Sequence, residues 1–496
     1  MRMSTAKTIY TLALCSLALV ATAHAQESSA PPVQEPPGEL TLGQALALAL
    51  RGNPGLSAFA WDIRAAEARE LQAGLRPNPE LSLELEDLRI GGAASSTSMS
   101  RNQGFSPAGD LSFATGRASE SARSGAFGEA QLTLALSQLV ELGGKRAKRV
   151  EAAKRERDVV TWDYEVARAD VLAQTARAFY TVLAAQERVR LSETLAGLAD
   201  QAHKTIKSLV QAGKVSPIEE SRSQVELSQL AIEHETAAGE LRAARIELAG
   251  NWGSSNPQFS VATGSFPDTF APPPADDLKA ALDQSPYLTR WIAELERRDA
   301  LVALARANGK PDLTVTFGVR NAGKSGVSSR DWGLSSAEGL TLGRGSADSD
   351  RDTSLVLGFS IPLPLFNRNQ GNIKEAEYLA DKAAYERRAV EAGITNALNA
   401  GYERAAAAHA AYKALKNTVI PTAQDAFDAV QEGYRAGKFG LLDVLLAQRA
   451  LFDAQRQLSQ SQASFQQTIV EIERFTGMAV EPAQSPNSTT PVEEKK

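Results

Sequence analysis

The sequence contains a single cysteine, Cys15, which lies in an N-terminal segment that is typical of a secretory signal. A basic start precedes an apolar run over 9–22, and Ala23 and Ala25 supply the small residues of a cleavage site. We therefore expect residues 1–25 to be removed. The mature chain would then have no thiol, which excludes disulfides, cysteine–zinc sites and cysteine nucleophiles.

The sequence also has no excess of basic residues and no long apolar runs. Lys and Arg number 53 against 59 Asp and Glu, for a net charge of −6, so no basic patch favours nucleic acid as a partner. After residue 25 no run of eighteen apolar residues occurs, and we predict no transmembrane helix. No small residue precedes Cys15, so we expect no lipid anchor. A soluble exported protein and a membrane β-barrel both remain open.

The chain contains one long internal repeat. Residues 53–86 align with 285–318 at an offset of 232, and residues 210–227 align with 434–451 at an offset of 224. Two long similar units indicate duplication, in contrast to a short-period solenoid. We predict, in chain order, a signal peptide (1–25), a flexible segment (26–40), repeat 1 (41–253), a linker (254–275), repeat 2 (276–477) and a disordered tail (478–496).

Each repeat is predicted to begin with a helix (41–75 or 276–308) and to continue with a hairpin of two strands. Leucines at 81, 83 and 85, for example, alternate strictly with polar residues, which is typical of strands with one apolar face. This gives four strands of about ten residues per chain. The hairpins span 80–140 and 311–363, with loops over roughly 88–129 and 321–352.

Long helical runs follow at 145–211 and 368–435. They are rich in alanine and charge, and each would extend about 100 Å at 1.5 Å per residue, which indicates coiled-coil packing. We expect Gly401 and Pro421 to kink or loosen the second run.

Each run ends at a glycine suited to the C′ position, Gly213 or Gly437, and a new helix begins a few residues later. In repeat 1, Ser216, Pro217 and Glu219 fit the N-cap, N1 and N3 positions of a capping box. Each repeat therefore contains a tight helical hairpin, with tips near 212–216 and 436–440.

The stretch GVRNAGKS, residues 318–325, matches the G-x-x-x-x-G-K-[ST] pattern of phosphate-binding loops. Such a loop needs a helix that begins at its Lys-Ser, so that the helix N-terminus meets the phosphates. The residues that follow have no helical pattern, and the repeat places them in the loop of a strand hairpin. We therefore expect neither a nucleotide site nor an ATPase.

Four strands cannot close a barrel, and an open sheet edge in lipid leaves backbone groups unpaired. Several chains must then share one barrel, with eight strands from two copies or twelve from three. The long helices are too polar for lipid, so we expect them to extend into the periplasm. A periplasmic coiled-coil scaffold without a pore is the alternative.

Three motifs carry a family resemblance: ALSQLVELGGKRAKRVEAA, IPLPLFNRNQGNIKEAE and YRAGKFGLLDVLLAQRALFDAQ. Over about 40–477 the chain resembles the TolC-like outer-membrane efflux proteins. The sequences of its motifs are similar to those of the heavy-metal branch, which belongs to cobalt–zinc–cadmium efflux systems. The resemblance implies a mixed α and β fold in the outer membrane of a Gram-negative bacterium. Three copies would share a twelve-stranded β-barrel, continued by a periplasmic α-helical coiled-coil barrel.

The resemblance also implies a function. The chain would be the passive exit duct of a tripartite RND-type efflux system, most directly for divalent heavy-metal cations. Its partners would be two sister copies, a periplasmic membrane-fusion adaptor, an inner-membrane RND pump and outer-membrane lipid. It would not be an enzyme and would need no cofactor or bound metal. Multidrug efflux and type I protein secretion would use the same duct and remain alternatives.

The candidate gate acids and docking tips follow from the same resemblance, whereas the candidate lumen acids follow from the strand alternation. Glu219 and Asp443 match acids of the periplasmic gate, although capping of their own helices also explains them. Some relatives have a further gate acid where this chain has Leu446. Glu84 and Glu86 lie on the polar side of a strand, where they either attract cations in the lumen or line a solvated wall. The adaptor-docking tips would be Ala212, Gly213, Lys214, Val215, Ala436, Gly437, Lys438 and Phe439.

Overall fold

The computed structural model describes residues 35–86, 131–264, 266, 282, 285–323, 334–335, 339–342 and 351–477. The predicted signal peptide, the first hairpin loop and the C-terminal tail lie outside the described residues. In chain order the elements are β1 (Glu39–Thr41), α1 (Leu42–Gly52), α2 (Pro54–Gly74), β2 (Glu80–Glu86), β3 (Gln131–Val140), α3 (Lys145–Gln211), α4 (Pro217–Gly250), β4 (Val261–Thr263), α5 (Pro286–Asn308), β5 (Leu313–Gly323), β6 (Leu334–Ser335), β7 (Gly339–Leu342), β8 (Arg351–Ser360), α6 (Gln370–Ala414), a π-helical turn (Leu415–Val419), α7 (Ile420–Arg435) and α8 (Leu441–Thr476).

The chain divides into two compact units, and each unit takes segments from both repeats. The hairpin unit comprises Met1–Ala58, Val166–Ser285 and Thr395–Lys496, and the sheet unit comprises Phe59–Glu165 and Pro286–Ile394. None of the helices in the described part of the chain has a stretch both long and apolar enough to cross a bilayer.

The core of the hairpin unit lies where the later part of α3 meets α1, α4 and a small sheet. Phe179 and Val182 of α3 are almost fully buried there, together with Leu248 of α4 and Leu40 of β1. Strands β1 and β4 pair in parallel, with Leu40 opposite Ala262. This sheet was not predicted, because strands of three residues are too short to show a periodicity.

The two long helical runs differ in continuity. Helix α3 is unbroken over its 67 residues, as predicted. The second run is divided by the π-helical turn, which ends two residues before Pro421. Proline has no N–H to donate and its ring clashes with the carbonyl four residues earlier, which accounts for the irregular turn. The expected interruption at Gly401 is wrong, since α6 continues through it; a Cβ there would lie 3.2 Å from Ile472 Cγ1 of α8.

The segment predicted as one helix over 41–75 forms two. Thr41 caps α1, because its Oγ1 accepts the Gln44 N–H at 3.3 Å and the Gln44 side chain accepts the Thr41 N–H in return. Asn53 then separates the helices, and its Oδ1 accepts the Leu56 N–H at 3.0 Å. The residue before a proline disfavours the helical conformation, so Pro54 ends α1 and begins α2.

The sheet unit contains the four long strands predicted from the alternation, β2, β3, β5 and β8, each antiparallel to the next. The predicted loop over 321–352 is wrong in two respects. Strand β5 continues to Gly323, because positions 318–322 have ladder partners on both β3 and β8. Within the same segment, β6 and β7 add two short strands beyond β8.

Ion pairs join the polar helices of the sheet unit. Arg157 of α3 contacts Glu70 of α2 at 2.7 Å, and Arg297 of α5 contacts Glu156 of α3 at 2.6 Å. At the base of the sheet, Lys145 contacts Asp312 at 2.7 Å, and only 11% of the Lys145 side chain is exposed. The other oxygen of Asp312 accepts the Leu142 N–H, so this carboxylate fixes the turn between β3 and α3.

Candidate functional site

The two helical hairpins of the hairpin unit end in turns with the same hydrogen bonds. Gly213 and Gly437 have φ of +67° and +73°, the left-handed conformation that favours glycine. In the first turn Lys214 N–H donates to the Leu209 carbonyl at 2.9 Å, and in the second Lys438 N–H donates to the Gly433 carbonyl at 2.8 Å. Both are Schellman motifs, as the C′ glycines predicted.

The side chains at these turns are largely exposed. Lys214 and Lys438 extend into solvent, as do Ala212 and Ala436, while Val215 is half-buried. Phe439 is 48% exposed and lies against Gly433, where a Cβ would come within 2.2 Å of its ring. Each turn therefore presents a lysine and an apolar residue.

The two candidate gate acids have different partners. Ser216 caps α4 through the Ile218 N–H, but the Glu219 carboxylate accepts a hydrogen bond from Arg222 at 2.9 Å. The reciprocal half of the predicted capping box is therefore replaced by an ion pair. In the second hairpin, Asp443 Oδ2 accepts the Gly440 N–H at 2.8 Å and caps its own helix.

A groove of about 660 Å³ lies between the two hairpins next to their turns. Glu219, Arg222 and Gly440 line this groove. Gly440 is the residue whose N–H donates a hydrogen bond to Asp443. Deeper along the hairpins, Arg449 of α8 contacts Glu226 of α4 at 3.1 Å. Neither arginine was among the predicted site residues, although the three-residue spacing from Glu219 to Arg222 is a signal for an ion pair. The apolar lining consists of Ile206, Leu209, Val215, Ile218, Val225, Tyr434 and Leu445.

In the sheet unit, one face of the four long strands is apolar and exposed. Leu83, for example, is 68% exposed and lies opposite Leu134, which in turn lies opposite Val319 and is also exposed. Directly opposed residues share a face, so the apolar residues of the four strands together form one continuous surface. The exposed residues of this face are Leu81, Leu83, Leu85, Leu132, Leu134, Leu136, Phe317, Val319, Leu355, Leu357 and Phe359.

The other face of the sheet carries the candidate lumen acids. Glu84 and Glu86 are both exposed. Glu84 lies opposite Thr133, and Thr133 lies opposite Arg320, so one row across the sheet contains an acid and a base. Arg320 was not among the predicted site residues, because its relation to Glu84 depends on the register between strands that are far apart in the chain.

The phosphate-loop pattern does not form a phosphate-binding loop in the described residues. Positions 318–322 are extended and paired on both sides, so their N–H groups belong to the sheet ladder. Gly318 is required by packing, since a Cβ would come within 2.8 Å of the Leu134 carbonyl oxygen. Lys324 and Ser325 lie outside the described residues. Within the described ranges no group of three or more His, Cys, Asp or Glu residues is placed to hold a metal ion.

The chain is similar in sequence to known outer-membrane proteins along both of its repeats. The sequence model of the family described as outer membrane efflux protein matches twice, over residues 45–254 and 278–478. The chain is 34% identical to the cobalt-zinc-cadmium resistance protein CzcC of Cupriavidus metallidurans, over 85% of this chain and 86% of that protein. It is 25% identical to the nickel-cobalt-cadmium resistance protein NccC of Alcaligenes xylosoxydans xylosoxydans, over 73% of this chain and 67% of that protein.

The fold is similar to that of solved channels. The crystal structure of the Campylobacter jejuni CmeC outer membrane channel aligns with a TM-score of 0.63 at 16% identity, over 88% of this chain and 85% of that one. The resemblance stated from the sequence motifs and the predicted mixed α and β fold class are both confirmed.

Proposed function

Because this chain belongs to the outer membrane efflux protein family, we propose that it is the passive exit duct of a tripartite efflux system for divalent heavy-metal cations. Family membership makes it a transport protein and not an enzyme. The metal substrate is proposed from relatives whose names specify cobalt, zinc, cadmium and nickel resistance.

The observation that carries the duct proposal is the two-faced sheet. Its exposed leucine and phenylalanine face is unfavourable in water and suits the hydrocarbon of an outer membrane. Strand β2 is one end of the sheet, and β8 is the last long strand at the other side. Three copies joined through these strands would supply twelve long strands and close the barrel, with the polar face towards the lumen. The helical hairpins would then extend into the periplasm of a Gram-negative bacterium.

We assign the two turns to adaptor docking. The turns Ala212–Val215 and Ala436–Phe439 present Lys214 and Lys438 to solvent on rigid Schellman backbones, which suits recognition of an acidic or amide-bearing partner surface. The proposed partner is a periplasmic membrane-fusion adaptor, which connects the duct to an inner-membrane RND pump. Glu219 with Arg222, and Asp443 on the second hairpin, are assigned to the periplasmic gate next to these turns.

The lumen acids have a proposed role in attracting cations. Glu84 and Glu86 would give a trimer six carboxylates on the lumen face, while Arg320 in the Glu84 row offsets part of that charge. Glu84→Gln with Glu86→Gln is expected to lower the preference for cations in single-channel recordings, and Arg320→Gln to raise it. Equal ion selectivity in all three channels would contradict this role.

The function is tested in a strain that lacks this chain. Loss is expected to increase sensitivity to zinc, cobalt, cadmium or nickel, and the wild-type chain to restore resistance. Lys214→Glu with Lys438→Glu is expected to abolish rescue while the protein remains in the outer membrane, because charge reversal opposes adaptor docking. Lys207→Glu, an exposed lysine on α3 just before the turn, is the matched control and should rescue fully.

Three results would contradict the assignment. Unchanged metal sensitivity with increased sensitivity to organic drugs would favour multidrug efflux, and loss of a secreted protein would favour type I secretion. Rescue by the double charge reversal would remove the turns as the docking site.

A further inference from the structure

Strand β8 is occupied on both of its edges in the isolated chain. Along one edge it pairs with β5 over its whole length, from Arg351 opposite Gly323 to Ser360 opposite Thr314. On the other edge β7 pairs with it at two positions, Thr341 opposite Val356 and Leu342 opposite Leu355. Strand β6 in turn pairs with β7, so the short β6–β7 hairpin covers the middle of the outer edge of β8.

The other end of the sheet has no such cover within the described ranges. Strand β2 is terminal in the sheet order and pairs with β3 along all seven of its residues. Under the proposed function, barrel closure joins β2 of one copy to β8 of the next, and the present inference rests on that function. The two strands would have to share a continuous ladder, since an open edge in lipid leaves backbone groups unpaired.

Strand lengths make the two pairings of β8 incompatible. Strand β2 has seven residues and β8 has ten. Any seven consecutive positions within 351–360 include 355 and 356, whatever the register. These are the two positions that β7 occupies. A full ladder between β2 of a second copy and β8 therefore requires β7 to leave.

We propose that the β6–β7 hairpin is a removable edge cap, which covers β8 before assembly and is displaced by β2 of a second copy. An uncovered strand edge invites incorrect pairing with other chains, and short covering strands are one way to protect it. Displacement is favourable because two ladder pairs with β7 are exchanged for seven with β2. The cap makes formation of the shared sheet a strand exchange between copies.

The experiment uses a disulfide to lock the cap in place. Thr341→Cys with Val356→Cys puts two cysteines at directly opposed ladder positions. Opposed positions of antiparallel strands in general have Cβ atoms about 4.5–5.5 Å apart, close to the spacing that a disulfide needs. The chain's own cysteine, Cys15, lies in the predicted signal segment, so the mature chain starts without a thiol. The mature chain is refolded without detergent, oxidised, and transferred to detergent micelles with or without dithiothreitol. Trimer is measured on unheated SDS gels.

The matched control is Ser137→Cys with Thr316→Cys, which lies on the same face of the sheet as Val356. These residues are opposed on β3 and β5, which stay neighbours in the single chain and in the proposed barrel. The oxidised control is expected to trimerise like the wild type. The oxidised Thr341–Val356 variant is expected to lose the trimer band and to regain it after reduction, which also shows that the variant folds.

Two results would overturn the cap. One is a full yield of trimer with the Thr341–Val356 disulfide intact by mass spectrometry. The other is failure of that disulfide to form in the unassembled chain, when the control disulfide forms. Absence of trimer in the wild type and in the control would instead contradict the proposed shared barrel.

Discussion

The two helical hairpins have matching turns but exchange their large and small side chains. At the offset of 224 that aligns the turns, Leu209 and Val215 of the first hairpin match Gly433 and Phe439 of the second. The hydrogen bonds are the same in both, whereas the Phe439 ring occupies the space that a side chain at 433 would fill. The backbone of the turn is thus set by its own glycine, and the surface it presents is set by a pair of residues on either side.

The helices that lead to these turns differ for a similarly local reason. Pro421 of the second hairpin matches Gly197 of the first. Glycine retains its N–H, and α3 is regular at Gly197, while the proline is preceded by a π-helical turn. The two hairpins are therefore similar in length, but only the second contains an irregular turn in its first helix.

The helices that return from the turns differ in one half-buried acid. Glu473 of α8 matches Ala249 of α4, which is fully buried in the core. Burial raises the pKa of Glu473 to about 7. Burial, and secondarily the charge of Glu473, raises the pKa of Tyr180 on α3 to about 12. An acid at this position lowers stability at neutral pH, and repeat 1 avoids the effect.

Gly433→Leu is expected to have the largest effect among changes that address this comparison. The new side chain would collide with the Phe439 ring, and overpacking of this kind typically costs about 1–3 kcal/mol. We expect a lower melting temperature of the purified trimer and a loss of metal resistance, because the second turn would be displaced.

The double variant Gly433→Leu with Phe439→Val recreates the residue pair of the first hairpin. It is expected to recover most of the lost stability, with a coupling energy of about 0.5–3 kcal/mol between the two sites. Phe439→Val alone is the control. If the double variant is no more stable than Gly433→Leu, the two residues do not form an exchangeable pair.

Glu473→Gln is expected to have a smaller effect that depends on pH. Since the folded pKa of Glu473 lies near 7 and the ordinary value is 4.5, the folded state holds its proton more tightly than the unfolded state. The stability contribution of this group is complete below pH 4.5 and is lost as pH rises to 7 and above. The variant should therefore exceed the wild type in melting temperature at pH 8, with the difference shrinking at pH 5.

Glu471→Gln, which removes a carboxylate two residues away, is the control for this pH dependence. The idea would be refuted by a Glu473→Gln variant whose melting temperature follows that of the wild type across this range.

Asp443→Asn is expected to have the smallest effect on stability, within about 0.5 kcal/mol, because its amide oxygen can still accept the Gly440 N–H. Asp443→Ala, which removes the cap, should cost about 1 kcal/mol. A gate role predicts altered channel conductance in the Asn variant, since only the charge is removed. Wild-type conductance in Asp443→Asn would leave capping as the role of this acid.

Local features were predictable from particular residues. Gly213 and Gly437 predicted the turns because positive φ is a property of single residues, and the leucine alternation predicted the four long strands. The placement of Glu84 and Arg320 in one row of the sheet, the ion pair of Arg449 with Glu226 and the short strands β6 and β7 were not predictable. Each joins residues that are far apart along the chain or too few to form a pattern.

The sequence by itself determined the periodic and terminal features of this protein: the duplication, the 67-residue helix, the ends of the helices and the alternation of the strands. These follow from backbone sterics and from side-chain spacing within one segment. Only the tertiary structure decided which strand edges are covered, that Phe439 lies on Gly433 and that Glu473 is half-buried with a raised pKa. Such features depend on register and packing between distant segments, which no local preference specifies.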